Sequence, residues 1–322
     1  MYNHYVYKRV ILHQIFTYNT IYTSMIALIL ATICAALFSI LFKIFKLKSI
    51  DTMPAIIYNY LAATVLSLVF SYNGSNGFVN PVQTDWFYPA IFTGLIFILG
   101  MMVLSVCTIR VGVAISTVSS RVSMIIPILV NYLFIPGSEK PQWIAIIVIL
   151  FAMSLIVWQK RENSGSERGD KSVLDIIIPL SVFVMFGLSN SFLKLVQHSI
   201  SSNSSLSDTS VNQQLSMVTF VIFISAAVMG GVFIIFNKKS KLAMMLKWKN
   251  ILGGIALGAS NFFCTYLLMV AMKSIKTELL FPLHNIGIVA IGVIAGWGFY
   301  HEKMKPHQIV GFVIAAIAIC FL

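Results

Sequence analysis

The chain is built on a succession of apolar runs, most of about 20 residues, separated by short polar breaks. A run of that length lets a helix cross a hydrocarbon core roughly 30 Å thick. Lipid offers backbone N–H and C=O groups no partners, so an open chain must satisfy them within each segment, as an α-helix. The runs are 24–45, 53–71, 88–109, 113–135 and 142–158, then 174–195, 214–236, 250–272, 277–299 and 307–322. Ten transmembrane helices are expected, in an all-α membrane protein. Composition agrees: of 322 residues, 58% are hydrophobic and 10% charged, against about 25% charged in ordinary soluble domains. A soluble enzyme and a disordered chain are excluded, and the loops leave no room for a soluble catalytic domain.

The remaining segments are short. Residues 1–23 mix aromatics with Lys8, Arg9 and His13 and lack a signal-peptide cleavage pattern. They read as an N-terminal arm, interfacial in character, and Met25 is an alternative start of translation. Residues 159–173 carry QKRENSGSERGDKS, a charged Gly/Ser-rich linker between two sets of five runs. The net charge is +12. In a membrane protein this reports basic cytoplasmic loops and not nucleic acid. Fifteen of the 22 Lys and Arg residues fall in the odd-numbered loops, which places those loops in the cytoplasm. A bacterial inner membrane is the expected location.

The two sets resemble each other. ALFSILFKI (36–44) aligns with GLSNSFLKL (187–195), with Lys43 opposite Lys194 at an offset of 151. Later the offset becomes 163: Arg110 meets Lys273, Arg121 meets His284, and Glu139 meets Glu302. With an odd number of helices per repeat, the second must enter the membrane from the opposite side. The expected plan is therefore two inverted five-helix repeats, 24–158 and 174–322. Such repeats are related by a pseudo-two-fold axis in the membrane plane, with a substrate site near the midplane.

The small-Leu-x5-Lys end of the first helix of each half, the proline-bearing fourth helix and the Glu-x-Pro or Glu-x3-Pro start of the fifth resemble the drug/metabolite transporter superfamily. The nearest branch is the EamA-like carriers of ten helices. The resemblance implies a carrier for a small metabolite or toxic compound, often an exporter. The small four-helix relatives couple protons through a glutamate in the first helix. Here 24–45 holds no acid, and 174–195 holds only Asp175 at its start.

Arg121 is the sharpest candidate, because a charge near the bilayer centre costs at least about 2.5–3.5 kcal/mol and faces the bundle or a water-filled cavity. Its planar fork suits a carboxylate or phosphate. His284 is its partner in the repeat and can donate to substrate or respond to pH. Pro127 and Pro282 release backbone groups nearby, as kinks or as cavity lining. Ser39, Asn190, Asn59, Tyr58, Asn261 and Tyr266 are polar positions within the runs and candidates to line a cavity. Lys43 and Lys194 are expected to snorkel to the membrane edge, or to gate. Glu278 is expected as a helix-start carboxylate favoured by the dipole, or as a coupling group. Gly254/Gly258 and Gly292/Gly296 are small-xxx-small faces for close packing.

Catalytic and nucleotide-binding motifs are missing from the sequence, and the four cysteines carry no zinc or disulfide spacing. No enzyme activity, metal or cofactor is expected. The expected partners are the bilayer, a small-molecule substrate and at most a second copy in a homodimer. The leading expectation is a secondary transporter for an anionic or zwitterionic metabolite, amino-acid-like, working by alternating access and acting as an exporter. The alternatives are a multidrug exporter of lipophilic compounds, a membrane enzyme on lipid-linked substrates, and a non-transporting scaffold.

Overall fold

The computed structural model describes residues 2–72, 80–111, 113–138, 140–157, 173–201, 208–236, 246–300 and 306–321. Most of the expected linker and both Glu139 and Glu302 lie outside these residues. The described residues are helical and form no strand. In chain order the helices are α1 (Tyr2–Lys48), α2 (Thr52–Ser71), α3 (Phe87–Arg110), α4 (Val113–Val122), α5 (Ile125–Phe134), α6 (Trp143–Val157), α7 (Leu174–Ser201), α8 (Asp208–Phe236), α9 (Trp248–Ala271), α10 (Thr277–Tyr300) and α11 (Pro306–Ile319). A short 3-10 turn, Pro81–Gln83, precedes α3.

Among the described residues, seven segments are long and apolar enough to cross a membrane: Ile21–Phe42, Thr52–Ser71, Phe87–Cys107, Ile115–Phe134, Leu174–Ser201, Ser210–Phe233 and Trp248–Ala271. The other three expected spans contain shorter apolar helices, Trp143–Ile156, Thr277–Gly292 and Pro306–Ile319. The outer faces are apolar. On α6, Ile144, Ile147 and Phe151 recur at helical spacing, and Ile144 is 82% exposed. Water penalises such faces, while lipid accepts them. Hydroxyls within the helices mostly turn back on their own backbone: Thr64 to Tyr60 O, Ser67 to Ala63 O, and Ser191 to Gly187 O, each at 2.7 Å. That bond satisfies a hydroxyl without a second helix.

The fourth run is not one helix. Pro127 has no N–H to offer Ser123 O, and its ring crowds that carbonyl. The chain tightens there into 3-10-type bonds, Met124 N to Arg121 O at 3.2 Å and Ile126 N to Ser123 O at 3.1 Å. The run therefore splits into α4 and α5, and Pro127 becomes the third residue of a new helix, where a missing N–H leaves nothing unpaired. The kink expected at Pro127 is thus a break, three residues before the proline.

Most of the extensive helix pairs join the first five segments to the last five: α2 on α9 and α8, α1 on α9 and α10, α3 on α7 and α8, α4 and α5 on α7, and α6 on α11. Glycines allow the closest of these approaches. A Cβ on Gly254 would strike Tyr58 and lie 2.7 Å from Ala55 O, and one on Gly258 would lie 2.8 Å from Ala62 Cβ. A Cβ on Gly94 would strike Ser225 and Ile222 O, sealing α3 against α8. Gly292 differs from expectation, since a Cβ there meets nothing within 4 Å. Gly137, at φ +78°, turns the chain after α5 in the left-handed region that glycine adopts without strain.

Candidate functional site

The break places Arg121 in the last turn of α4. The negative end of the helix dipole lies there and favours a cation by about 0.3–1 kcal/mol, more where partly buried. That offsets part of the insertion cost of the charge. Arg121 Nη1 donates to Asn285 Oδ1 of α10 at 3.2 Å. Its Nε is buried and has no hydrogen-bond partner among the described residues.

His284 is 7% exposed. Its Nδ1 lies 3.0 Å from Thr32 Oγ1 on α1. Thr32 already donates to Leu28 O at 2.7 Å, and a hydroxyl has one proton. The Thr32 oxygen must therefore accept, so His284 carries its proton on Nδ1 and presents a lone pair at Nε2. This tautomer is assigned from the hydrogen-bond network. One turn of α9 away, Asn261 Nδ2 donates to Asn59 Oδ1 of α2 at 3.2 Å. Asn59 is fully buried, and its own Nδ2 is left without a partner among the described residues. Ser260 donates to Cys34 O at 2.6 Å and ties α9 to α1. Among the described residues the interior thus holds three unspent donors, Arg121 Nε, Asn59 Nδ2 and Tyr60 Oη. Buried donors of this kind are rare and call for an acceptor.

A second polar group lies at the end where α5 and α9 finish and α10 begins. Glu278, in the first turn of α10, accepts from Asn131 Nδ2 of α5 at 3.2 Å, and Thr277 Oγ1 donates to Asn131 Oδ1 at 3.1 Å. Lys194 does not snorkel outward: its Nζ donates to Gln197 Oε1 at 3.1 Å and to Met272 O at 3.2 Å.

The remaining candidates scatter. Tyr266 stacks on Phe262 with ring centroids 5.8 Å apart, within an aromatic group that includes Phe70. Tyr58 packs under Gly254. Asn190 is half-buried on α7 and takes part in none of these contacts. Pro282 is buried inside α10, which stays continuous. Ser39 and Lys43 fall on α1, where their side chains lie outside the described residues. Thr32, Asn285, Asn131 and Gln197 were not singled out from the sequence. The available signal was weak: each is a polar residue in an apolar helix, the usual mark of a satisfied hydroxyl or amide.

At the opposite end, Asp51 before α2 meets the start of α9. Asp51 N donates to Asn250 Oδ1 at 2.9 Å, and Asn250 Nδ2 and Lys247 Nζ both donate to Asp51 Oδ2 at 3.1 Å. The Asn250 amide and then the Lys247 ammonium hold the Asp51 carboxyl below its ordinary pKa. Arg110 Nε donates to Asp175 Oδ1 at 3.0 Å on the exposed surface. All four cysteines are free thiols.

No protein-family model matches the chain. An uncharacterized protein of Haemophilus influenzae is 24% identical over 302 residues, covering 91% of this chain and 95% of that protein. A crystal structure of a protein 8% identical in sequence matches with a TM-score of 0.64, over 92% of this chain and 95% of that one. At that identity the likeness is one of fold alone.

Proposed function

We propose that this chain is a secondary carrier for a small anionic or zwitterionic metabolite, amino-acid-like, of the ten-helix drug/metabolite transporter type. It works by alternating access, as an exporter, in a bacterial inner membrane with its odd-numbered loops in the cytoplasm. The observation that carries the reading is Arg121: a guanidinium inside an apolar segment, held by one neutral amide, with Nε unspent. A purely structural arginine would have its donors filled, because an unmet buried donor costs about 1–3 kcal/mol, more for a charged group. A ligand oxyanion supplies the missing acceptor, and Asn59 Nδ2 offers a second donor from α2.

The packing supports two repeats. Counting α4 and α5 as one segment, exchange of the first five segments with the last five turns α2 on α9 into α8 on α3. It also turns α1 on α9 into α7 on α3, and α1 on α10 into α7 on α4 and α5. The pairs α2 on α8 and α6 on α11 map onto themselves. Inverted repeats would be exchanged in this way. A helix broken between α4 and α5 suits a bundle that moves around one site.

The test is ligand-induced thermal stabilisation of the purified protein across a metabolite panel, beside Arg121→Ala. A ligand that binds the folded state raises its apparent stability. Anionic ligands should stabilise the wild type and lose their effect in the variant, and zwitterionic ligands should lose most of theirs. Stabilisation by lipophilic cations alone, equal in both proteins, would sink the anion site and favour a multidrug exporter.

A further inference from the structure

We infer that the end of the bundle where α5 and α9 finish and α10 begins holds a second ligand site, in which Glu278 takes the ammonium and Lys194 the carboxylate of a free amino acid. The inference rests on the carrier reading and names the ligand class more closely.

The site is assembled by the turn after α9. Met272 closes α9, and residues 273–276 lead directly into Thr277 and Glu278. Lys194 is bound to Met272 O, so its ammonium stands on the same turn that begins at Met272 and delivers the carboxylate. Lys194 is bound at the start of this turn and Glu278 stands just past its end, yet the two do not form an ion pair. The ion pairs among the described residues are Arg110–Asp175 and Lys247–Asp51.

Each charge is held apart by neutral partners that are themselves fixed. Asn131 spends its oxygen on Thr277 and its nitrogen on Glu278 Oε1. Gln197 donates to Ser201 Oγ at 2.8 Å, which leaves its oxygen for Lys194. Glu278 is 8% exposed and accepts one hydrogen bond at Oε1, from Asn131. An ammonium has three protons, and Lys194 has used two of them. A buried acid and a half-buried base, each held apart by neutral partners, gain from a ligand that bridges them.

Electrostatics selects the bridge. A simple cation at Glu278 is opposed by Lys194, and a simple anion at Lys194 is opposed by Glu278. A molecule bearing both charges on neighbouring atoms complements both. The free α-amino acid is the smallest common ligand of that form. The site is distinct from the one at Arg121. Glu278 to Asn285 is seven residues along α10, a rise of about 10 Å. One small amino acid cannot touch both ends, so the two sites are successive stations along one path.

The experiment is isothermal titration of the purified full-length protein with the twenty L-α-amino acids. Each is paired with its N-acetyl derivative, which lacks the ammonium, and its amide, which lacks the carboxylate. The same titrations are run on Glu278→Gln, Lys194→Gln, Arg121→Ala and the charge-exchanged double variant Glu278→Lys with Lys194→Glu. The wild type should bind at least one amino acid at least tenfold tighter than either derivative. Glu278→Gln should weaken the amino acid about tenfold and leave the N-acetyl derivative unchanged, and Lys194→Gln should do the same with respect to the amide. The double variant should regain the preference for the zwitterion, and it decides the matter if a single variant does not fold. Equal binding of the amino acid by the wild type and both folded Gln variants, or a double variant without zwitterion preference, overturns the second site. The Arg121 reading survives that result if Arg121→Ala still abolishes binding. If the wild type binds only non-zwitterionic anions, lost in Arg121→Ala, the second site falls and the carrier reading stands. If no ligand binds at all, both fall.

Discussion

The run 113–134 and its register partner 277–300 both contain a proline within an apolar helix, and they accommodate it in opposite ways. In the first, the helix breaks three residues ahead of Pro127, and the break leaves a helix C-terminus at Arg121. In the second, Pro282 sits at the sixth position of α10 and the helix continues. The break turns a helix interior into a cation-favouring end, in the segment that carries the cation. The unbroken helix carries the neutral partners, His284 and Asn285, on one rigid rod. The difference teaches that the position of the proline decides the outcome: Pro127 falls mid-run, where the chain breaks and Ser123 O takes Ile126 N instead, while Pro282 faces only a first-turn carbonyl.

The largest test of that contrast is Arg121 against His284. Arg121→Ala should weaken ligand binding by about 30-fold or more, since truncating one partner of a buried charged pair costs roughly 2–5 kcal/mol. His284→Ala removes a neutral hydrogen bond, a net of about 0.5–1.5 kcal/mol, and should weaken binding no more than about tenfold. Equal losses, read by titration calorimetry, would break the comparison. Next comes Pro127→Ala. Restoring an N–H at position 127 and removing the ring lets α4 and α5 join as one helix, and the bonds regained should raise the melting temperature. Transport should fall at least about tenfold as Arg121 loses its helix end. Pro282→Ala should leave transport in proteoliposomes within about twofold. Loss of transport in both would show that the break itself is not what matters.

Packing gives a smaller contrast. Gly258→Leu forces side-chain bulk into α2 and should destabilise by about 1–3 kcal/mol or more. Gly292→Ala on the unbroken α10 meets open space and should stabilise by about 0.5–1 kcal/mol through helix propensity. Thermal unfolding in detergent reads both. The smallest effect concerns acid. The carboxyl of Asp51 is held below its usual value in the folded state, so its contribution is fully present above the unfolded pKa near 3.9. It is lost as pH falls through the lower, folded value. The pair is partly exposed, with the Asp51 side chain at 27%, so the contribution is no more than about 1 kcal/mol. Asp51→Asn should remove that part of the acid slope. An unchanged slope would show that the ring with Asn250 adds nothing to it.

Hydropathy alone made the helices legible, because a bilayer admits one solution for an apolar run. Arg121 was legible for a related reason: a charge in such a run stands out. Arg121 bonds Asn285, the neighbour of the residue it aligns with in sequence. The break was not legible, since a proline announces a kink without saying where the chain will give way. The inward turn of Lys194 was not legible, because a long side chain near a helix end normally reaches for the interface and the carbonyl of Met272 that captures it lies 78 residues away in sequence. Thr32 was invisible for the opposite reason. Most hydroxyls in these helices bond only their own backbone, and nothing in the local sequence marks the one that also meets a histidine.

The bond between Thr32 and His284 fixes more than a contact. With the threonine proton committed to Leu28 O, the ring holds one tautomer, and its two nitrogens are chemically distinct. In a nitrogen-15 spectrum His284 should therefore give two well-separated ring resonances, one protonated and one not, without the averaging of a ring that exchanges between forms. Thr32→Val would release the ring and merge them, turning a hydroxyl buried at the centre of the bundle into something read directly as a line shape.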